Sequence, residues 1–159
     1  MKSIVDYCES KGMAIIRVFP RRTTFTPRDD CAFVGDPPLF GIPECSEIHT
    51  SCTFSWDLDE AYRLSEAWKS ICPNVKIGGP AFGNVTDDFE LGRYIMQGVT
   101  FTSRGCNQNC PWCLVPEREG KLRLIDSISS GYIINDNNFL QCPSSHRRKV
   151  YQMLNTERR

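Results

Sequence analysis

The sequence predicts an α/β protein in which short parallel strands alternate with helices. Apolar runs typical of buried strands recur along the chain, and the clearest amphipathic helix lies between two of them. Short links in strand–helix–strand order favour parallel pairing of the strands. With 159 residues, the chain has room for one domain, or for one domain and part of another.

The first half is predicted to form a small sheet with helices. Its first elements, in order, are a helix over residues 3–11 and strands over residues 13–19, 31–34 and 47–54. Gly12 is the stop signal of the helix. In the third strand, Ile48, Cys52 and Phe54 are predicted to share one face, because side chains alternate between the two faces of a strand.

The clearest helix is predicted over residues 57–71. Asp57 is a candidate N-cap, and Glu60 three residues later is typical of a capping box. One apolar stripe on this helix consists of Ala61, Leu64, Trp68 and Ile71. Pro73 ends the helix, and the stripe predicts the face that packs on the sheet.

A linker rich in Asp, Gly and Asn over residues 83–98 separates the two halves, so we expect a domain boundary between Gly98 and Val99. The remaining predicted elements are a strand over residues 74–77, a turn over residues 78–83, strands over residues 99–103 and 131–135, and a final helix over residues 144–156. The glycine-rich turn contains Pro80 and does not match the dinucleotide-binding pattern, so a structural role is favoured.

Charge and composition argue against several classes of protein. Lys+Arg and Asp+Glu are equal at 19 each, which argues against binding nucleic acid over a broad surface. No run is apolar enough for a membrane span, and the start of the sequence has no recognisable secretory signal. We therefore expect a cytoplasmic protein, in which clustered cysteines more often bind metal than form disulfides.

Three of the nine cysteines stand close together in the segment Cys106-Asn-Gln-Asn-Cys110-Pro-Trp-Cys113, directly after a predicted strand. Strand ends of this kind carry the functional sites of α/β barrels and open sheets. Three clustered thiolates can hold three irons of a 4Fe–4S cluster and leave the fourth iron open to a ligand. Trp112 supplies a flat ring that could pack against a bound heterocycle. Five other cysteines show no ligand spacing and are interpreted as small buried apolar residues: Cys8, Cys31, Cys45, Cys52 and Cys72.

The order Cys-x3-Cys-x2-Cys, with an aromatic residue just before the third cysteine, resembles the signature of the radical S-adenosylmethionine (SAM) superfamily. The resemblance implies a TIM-like barrel in which Cys106, Cys110 and Cys113 bind a 4Fe–4S cluster and Trp112 lies near the adenine of SAM. In this family the reduced cluster cleaves SAM to a 5′-deoxyadenosyl radical, which abstracts a hydrogen atom from the substrate. A reducing partner such as flavodoxin or ferredoxin is implied as well.

A second segment extends the resemblance. In the family, the next strand usually ends in a Gly-Gly-Glu-like stretch that contacts the amino group of SAM. Here that position is held by Asp136, Asn137 and Asn138, whose carboxylate and amides can accept hydrogen bonds from an ammonium group. The charged residues 117–119 could contact the SAM carboxylate or ribose, or could equally form a solvated charge run.

The wider sequence resembles an uncharacterised radical SAM subgroup, in which an α/β segment similar to a cobalamin-binding domain (here residues 1–98) precedes the barrel (here residues 99–159). Cobalamin is not predicted, because the signature Asp-x-His-x-x-Gly is absent and the nearest candidate, around His49, fails at both flanking positions. About 45 residues follow Cys113, enough for about two βα units, so we expect an incomplete barrel. The chain would then be a fragment, be completed by a partner, or be an inactive remnant.

Zinc is the alternative interpretation of the cysteine segment, and it would make the chain an interaction module without catalysis. Zinc takes four ligands, and Cys142 or His146 could supply the fourth. No second Cys-x2-Cys pair is present, which favours the iron–sulfur interpretation. No motif in the sequence indicates the substrate.

Overall fold

The computed structural model of the protein describes residues 14–83 and 93–157. The chain divides into two compact units, Met1–Met96 and Gln97–Arg159. The boundary predicted from the sequence lies between residues 98 and 99. The helix predicted at the start of the sequence and most of the predicted linker lie outside the described residues.

A four-stranded parallel sheet forms the framework of the first unit. Its strands are β1 (Ala14–Phe19), β2 (Ala32–Val34), β3 (Cys45–Ser51) and β4 (Val75–Gly78). They lie in the order β2-β1-β3-β4, and each neighbouring pair is parallel. The predicted mixed α/β class with a parallel sheet is therefore confirmed. β3 ends at Ser51, three residues before the predicted end of that strand.

Helix α1 (Leu58–Trp68) packs on one face of this sheet. Trp68 is completely buried, and its indole N–H donates a hydrogen bond of 2.9 Å to the carbonyl oxygen of Gly35, just after β2. The core cluster consists of Ile16, Val18, Ile48, Leu64, Trp68 and Cys72. Leu64 and Trp68 of the predicted stripe thus pack against the sheet as the sequence predicts. Of the predicted face of β3, Ile48 belongs to the cluster, whereas Cys52 and Phe54 lie beyond the end of the strand.

Two details of the predicted helix are wrong. The side chain of Asp57 makes no cap, because Arg21 holds its carboxylate with two hydrogen bonds, at 2.6 and 2.5 Å. Ile71 lies beyond the last helical residue, and 42% of its surface is exposed. The helix therefore ends about one turn earlier than the apolar stripe predicts.

The second unit contains two short strand pairs and two helices. Its elements are β5 (Val99–Thr100), β6 (Ser103–Arg104), α2 (Val115–Arg118), β7 (Arg123–Leu124), β8 (Ile133–Ile134) and α3 (Ser144–Glu157). β5 and β8 pair in parallel, whereas β6 and β7 pair antiparallel. No helix in the part of the chain that the structure describes is long and apolar enough to cross a membrane.

The single strand predicted over residues 99–103 is wrong, because the chain forms two strands there. Thr102 leaves the ladder: its backbone N–H and its hydroxyl both donate to the carboxylate of Asp136, at 2.7 and 2.5 Å. β5 and β6 consequently pair with different partners. α2 and β7 were not predicted, since elements this short carry no readable periodicity.

Candidate functional site

Two chain segments meet where β5 and β8 end. β5 leads through β6 into the cysteine loop (residues 105–113), and β8 leads into Asp136 and the two asparagines after it. Because β5 and β8 are parallel neighbours, both segments leave the same edge of the strand pair. The two segments that the sequence assigns to the cofactors therefore lie together in the second unit.

The carboxylate of Asp136 fastens the end of β8 to the chain that leaves β5. Besides the two hydrogen bonds from Thr102, it accepts one from the hydroxyl of Ser103 at 2.8 Å. Thr102 and Ser103 are fully buried. Hydrogen bonds to a charged acceptor are stronger than neutral ones, so this carboxylate anchors the site.

His146 on α3 joins the same network. Its Nε2 lies 3.1 Å from the hydroxyl oxygen of Thr102. Since that hydroxyl donates its own proton to Asp136, it accepts the proton of His146 Nε2. His146 is 7% exposed and Cys142 is 2% exposed, so the two candidate fourth ligands for zinc are both buried.

The two asparagines after Asp136 contact the cysteine loop. Asn137 accepts a hydrogen bond from the backbone N–H of Gly105 at 3.2 Å. Asn138 donates through Nδ2 to the sulfur of Cys106, at 3.5 Å. Of the two residues that the resemblance assigns to SAM, Asn138 thus contacts the first predicted cluster ligand, and Asn137 contacts the glycine before it.

Cys106 is the buried end of the cysteine loop, with 9% of its surface exposed. Besides Asn138, the backbone N–H of Gln108 donates to its sulfur, at 3.4 Å. Gln141 holds the next residue, since its Oε1 accepts a hydrogen bond from the backbone N–H of Asn107 at 3.1 Å. N–H donors of this kind stabilise a thiolate that binds iron and tune the cluster it holds.

Gly105 sets the path of the chain into the loop. Its φ of +75° lies in the left-handed region, which favours glycine. A Cβ at this position would lie 2.3 Å from the carbonyl oxygen of Lys121. Glycine is needed at position 105 because the backbone after α2 passes directly against this residue and leaves no room for a side chain.

Cys110 and Cys113 lie at the exposed end of the loop. A turn joins them, in which Cys113 N donates to Cys110 O at 3.1 Å. Trp112 between them is 94% exposed. The three thiols are not gathered: within residues 14–83 and 93–157, no three His, Cys, Asp or Glu side chains are close enough to hold a metal ion.

A cavity of about 620 Å³ opens beside Cys106. Its lining residues are Cys106, Asn107, Asn109, Pro116, Gly120 and Lys121. Cavities of 300–1,000 Å³ are typical of sites for small molecules and cofactors. The cavity therefore has room for a cofactor at the buried thiol of the loop.

Of the three charged residues 117–119, Glu119 is the one whose side chain contacts the start of the cysteine loop. Its carboxylate lies 3.4 Å from both the backbone nitrogen of Gly105 and Nε of Arg104. Glu117 and Arg118 are exposed. No sequence signal distinguishes Glu119 from these two neighbours, since all three belong to one run of charges.

In the first unit, His49 is held by its neighbours on the sheet. Its Nδ1 is hydrogen-bonded to the hydroxyl of Tyr94, and its Nε2 lies 3.2 Å from Glu47 Oε2. Burial lowers the pKa of His49, although Glu47 acts in the opposite direction. The imidazole is therefore hydrogen-bonded through Nδ1, while Nε2 faces the Glu47 carboxylate without a hydrogen bond.

No family model, no curated protein and no solved structure matches this chain. Function is therefore inferred from the residues of the cysteine loop, their contacts and their spacing.

Proposed function

We propose that this chain is a radical SAM enzyme, or part of one, that binds a 4Fe–4S cluster through Cys106, Cys110 and Cys113. The observation that carries the proposal is the contact between Asn138 and Cys106, at 3.5 Å. This contact joins the cysteine loop to the end of β8. The resemblance to the radical SAM family implies that the amino group of SAM binds at that strand end. A chance cysteine cluster would not require that neighbour.

The donor set fits the cluster in its chemistry. Three thiols within eight residues supply the soft ligands that iron prefers. Two of the thiols, on Cys110 and Cys113, are exposed on a loop and open to an incoming metal. The buried thiol, on Cys106, already accepts two N–H hydrogen bonds.

Different residues of the site would hold the structure together and bind SAM. When bound, the cluster would supply the electron that cleaves SAM to a 5′-deoxyadenosyl radical. Asp136 holds the two strand ends in register through Thr102 and Ser103. With that carboxylate engaged, Asn137 and Asn138 offer the amide oxygens for the SAM ammonium group, and Trp112 offers a ring for adenine.

On this proposal β5 and β8 are the first two strands of a TIM-like barrel that is incomplete within this chain. Electrons would come from a cytoplasmic reductant such as flavodoxin or ferredoxin. The substrate would be a molecule with a hydrogen atom that the radical can abstract. The first unit lacks the cobalamin signature, so cobalamin has no part in the proposal.

Anaerobic reconstitution of the protein with iron and sulfide tests the proposal. We expect about four irons per chain, an electron paramagnetic resonance signal of a reduced 4Fe–4S cluster, and a change in that signal when SAM is added. Replacing any one of Cys106, Cys110 and Cys113 with Ala should remove the signal, whereas Cys52→Ser should keep it. One zinc per chain with no iron signal would overturn the proposal.

A further inference from the structure

Three thiols outside the cysteine loop lie at one edge of the parallel sheet of the first unit. Cys31 directly precedes β2, Cys45 opens β3, and Cys72 stands shortly before β4. β3 and β4 are parallel neighbours, so Cys45 and Cys72 lie close together although they are far apart in sequence, whereas Cys31 precedes β2 on the other side of β1. Their spacing predicts nothing of this.

Two hydrogen bonds fix the stretch after α1 alongside the start of β3. The carbonyl oxygen of Asn74 accepts from the backbone N–H of Ile48 at 2.9 Å, and Asn74 Nδ2 donates to Ser46 O at 3.3 Å. Cys72 belongs to the buried core cluster, and Cys45 packs against that cluster. The register that pairs Ile48 with Val75, continued three residues back along both segments, places Cys72 level with Cys45.

We propose that Cys45 and Cys72 are a redox-active thiol pair, which a low-molecular-weight disulfide such as oxidised glutathione converts into an intramolecular disulfide. Each thiol loses its proton, and the pair together loses two electrons as one S–S bond forms between the two sulfur atoms. The S–S bond of the reagent breaks and releases two thiols. The proposal is independent of the cluster and of SAM.

The surroundings of the pair set its kinetics and its equilibrium. Burial, together with the neighbouring thiols of Cys72 and Cys31, raises the pKa of Cys45 to about 11. Little thiolate is present at neutral pH, so attack on the reagent is slow. A dithiol becomes a strong oxidant in its disulfide form when the protein stabilises the thiolate, and here burial does the opposite. The disulfide should therefore form slowly and persist once formed.

The cross-link would enclose β3 and α1, which supply Ile48, Leu64 and Trp68 to the core cluster of the first unit. Closing a loop of this size restricts the unfolded chain, so oxidation should raise the midpoint of thermal unfolding by about 10 °C.

The experiment equilibrates the full chain with oxidised glutathione, blocks the remaining thiols in denaturant, and maps the peptides by mass spectrometry. Trypsin together with a glutamyl endopeptidase separates the cysteines of this unit onto residues 3–9, 29–44, 45–47, 48–60 and 70–76. We expect peptide 45–47 joined to peptide 70–76, with two hydrogen atoms fewer than the sum of the free peptides.

Single variants separate the pair from the other thiols. Cys45→Ser and Cys72→Ser should each abolish the cross-link and the rise in Tm on oxidation. Cys52→Ser, the matched control at another buried cysteine of the same unit, should keep both. A link from Cys72 to Cys31, or free Cys45 and Cys72 under conditions that oxidise the exposed thiols of the cysteine loop, would overturn the proposal.

Discussion

Asn138 donates a hydrogen bond to the sulfur of Cys106 at 3.5 Å, and this contact ties the end of β8 to the cysteine loop. Groups that contact a metal ligand orient it and tune the metal, and their loss typically costs tenfold to hundredfold in metal affinity. One asparagine therefore touches the proposed cluster ligand and also lies where the SAM ammonium group is expected.

Replacing Asn138 with Leu should leave the cluster able to form but hold it less tightly. The variant removes the N–H donor to Cys106 while keeping a side chain of similar size, so we expect about tenfold faster loss of iron to a chelator. SAM affinity should fall by about tenfold to hundredfold, since a hydrogen bond to a charged group contributes about 1.5–3 kcal/mol. Asn135→Ala, an exposed asparagine of the same segment, is the matched control. Iron loss and SAM affinity equal to those of the control would contradict the assignment.

Replacing Asp136 with Ala should destabilise the second unit. The change leaves the backbone N–H of Thr102 and the hydroxyls of Thr102 and Ser103 buried without their acceptor. We expect the free energy of unfolding to fall by about 3 kcal/mol, measured by urea denaturation followed by circular dichroism. Asp126→Ala removes an exposed carboxylate of the same unit and should change it by less than about 0.5 kcal/mol. Equal effects of the two variants would remove the anchoring role of Asp136.

Gly105 and Gly120 form a natural pair for testing the path of the chain into the cysteine loop. Both have a φ of +75°, but only a Cβ at Gly105 would meet a neighbour, Lys121 O at 2.3 Å. Gly120→Ala should cost about 1–2 kcal/mol of stability from the left-handed backbone alone. Gly105→Ala should cost clearly more and should also lower iron binding, because the chain must shift at the residue before Cys106. Equal unfolding free energies of the Gly105→Ala and Gly120→Ala variants would show that the close approach to Lys121 does not affect stability.

Much of the first unit is readable from the sequence because its elements carry strong periodicity. The continuous apolar run of β1 predicts a buried strand, and the spacing of Leu64 and Trp68 predicts the buried face of α1. Asp57 failed as a cap because Arg21, from a distant loop, competes for its carboxylate. A long-range ion pair of this kind leaves no local signal.

The sequence predicts which segments form the candidate site, but it does not predict the side-chain contacts between them. The order of the strands predicts that the cysteine loop and Asp136 lie near each other. It cannot predict that Asp136 turns toward Thr102, or that Asn138 turns toward Cys106, because residue type does not fix the direction of a side chain. The break between β5 and β6 has the same cause, since a carboxylate 34 positions away removes Thr102 from the ladder.

Lowering the pH below 6.5 should destabilise the first unit through His49. Burial holds the pKa of His49 below its ordinary value of 6.5, so the unfolded chain binds a proton there more readily than the folded one. Stability is therefore complete above pH 6.5 and falls as the pH drops toward the lowered pKa. Four groups also influence or contact the imidazole, namely Glu47, Lys76, Arg93 and Tyr94.

Urea unfolding at pH values above and below 6.5 measures this dependence. In His49→Gln, the unfolding free energy of the first unit should no longer depend on pH in this range. His146 is the other histidine of the chain and belongs to the second unit, so His146→Gln should leave the pH dependence of the first unit unchanged. The pKa of Glu47 is lowered chiefly by its hydrogen bond to Lys76, so its contribution is lost only below about pH 4.5 and falls in a separate window. An unchanged slope in His49→Gln would assign the dependence to another group.

Replacing Trp112 with Ala should weaken SAM binding without touching either the fold or the iron. Trp112 is 94% exposed, so the unfolding free energy should change by less than about 0.5 kcal/mol. Loss of a ring stacked on adenine costs about 1–3 kcal/mol, which predicts an affinity lower by about tenfold to hundredfold. Trp56→Ala, a 70% exposed tryptophan in the first unit, is the control and should bind SAM normally. Iron content and SAM affinity measured on both variants decide the matter: normal SAM binding by Trp112→Ala would remove this residue from the site, while lost iron would make it a support of the cysteine loop instead.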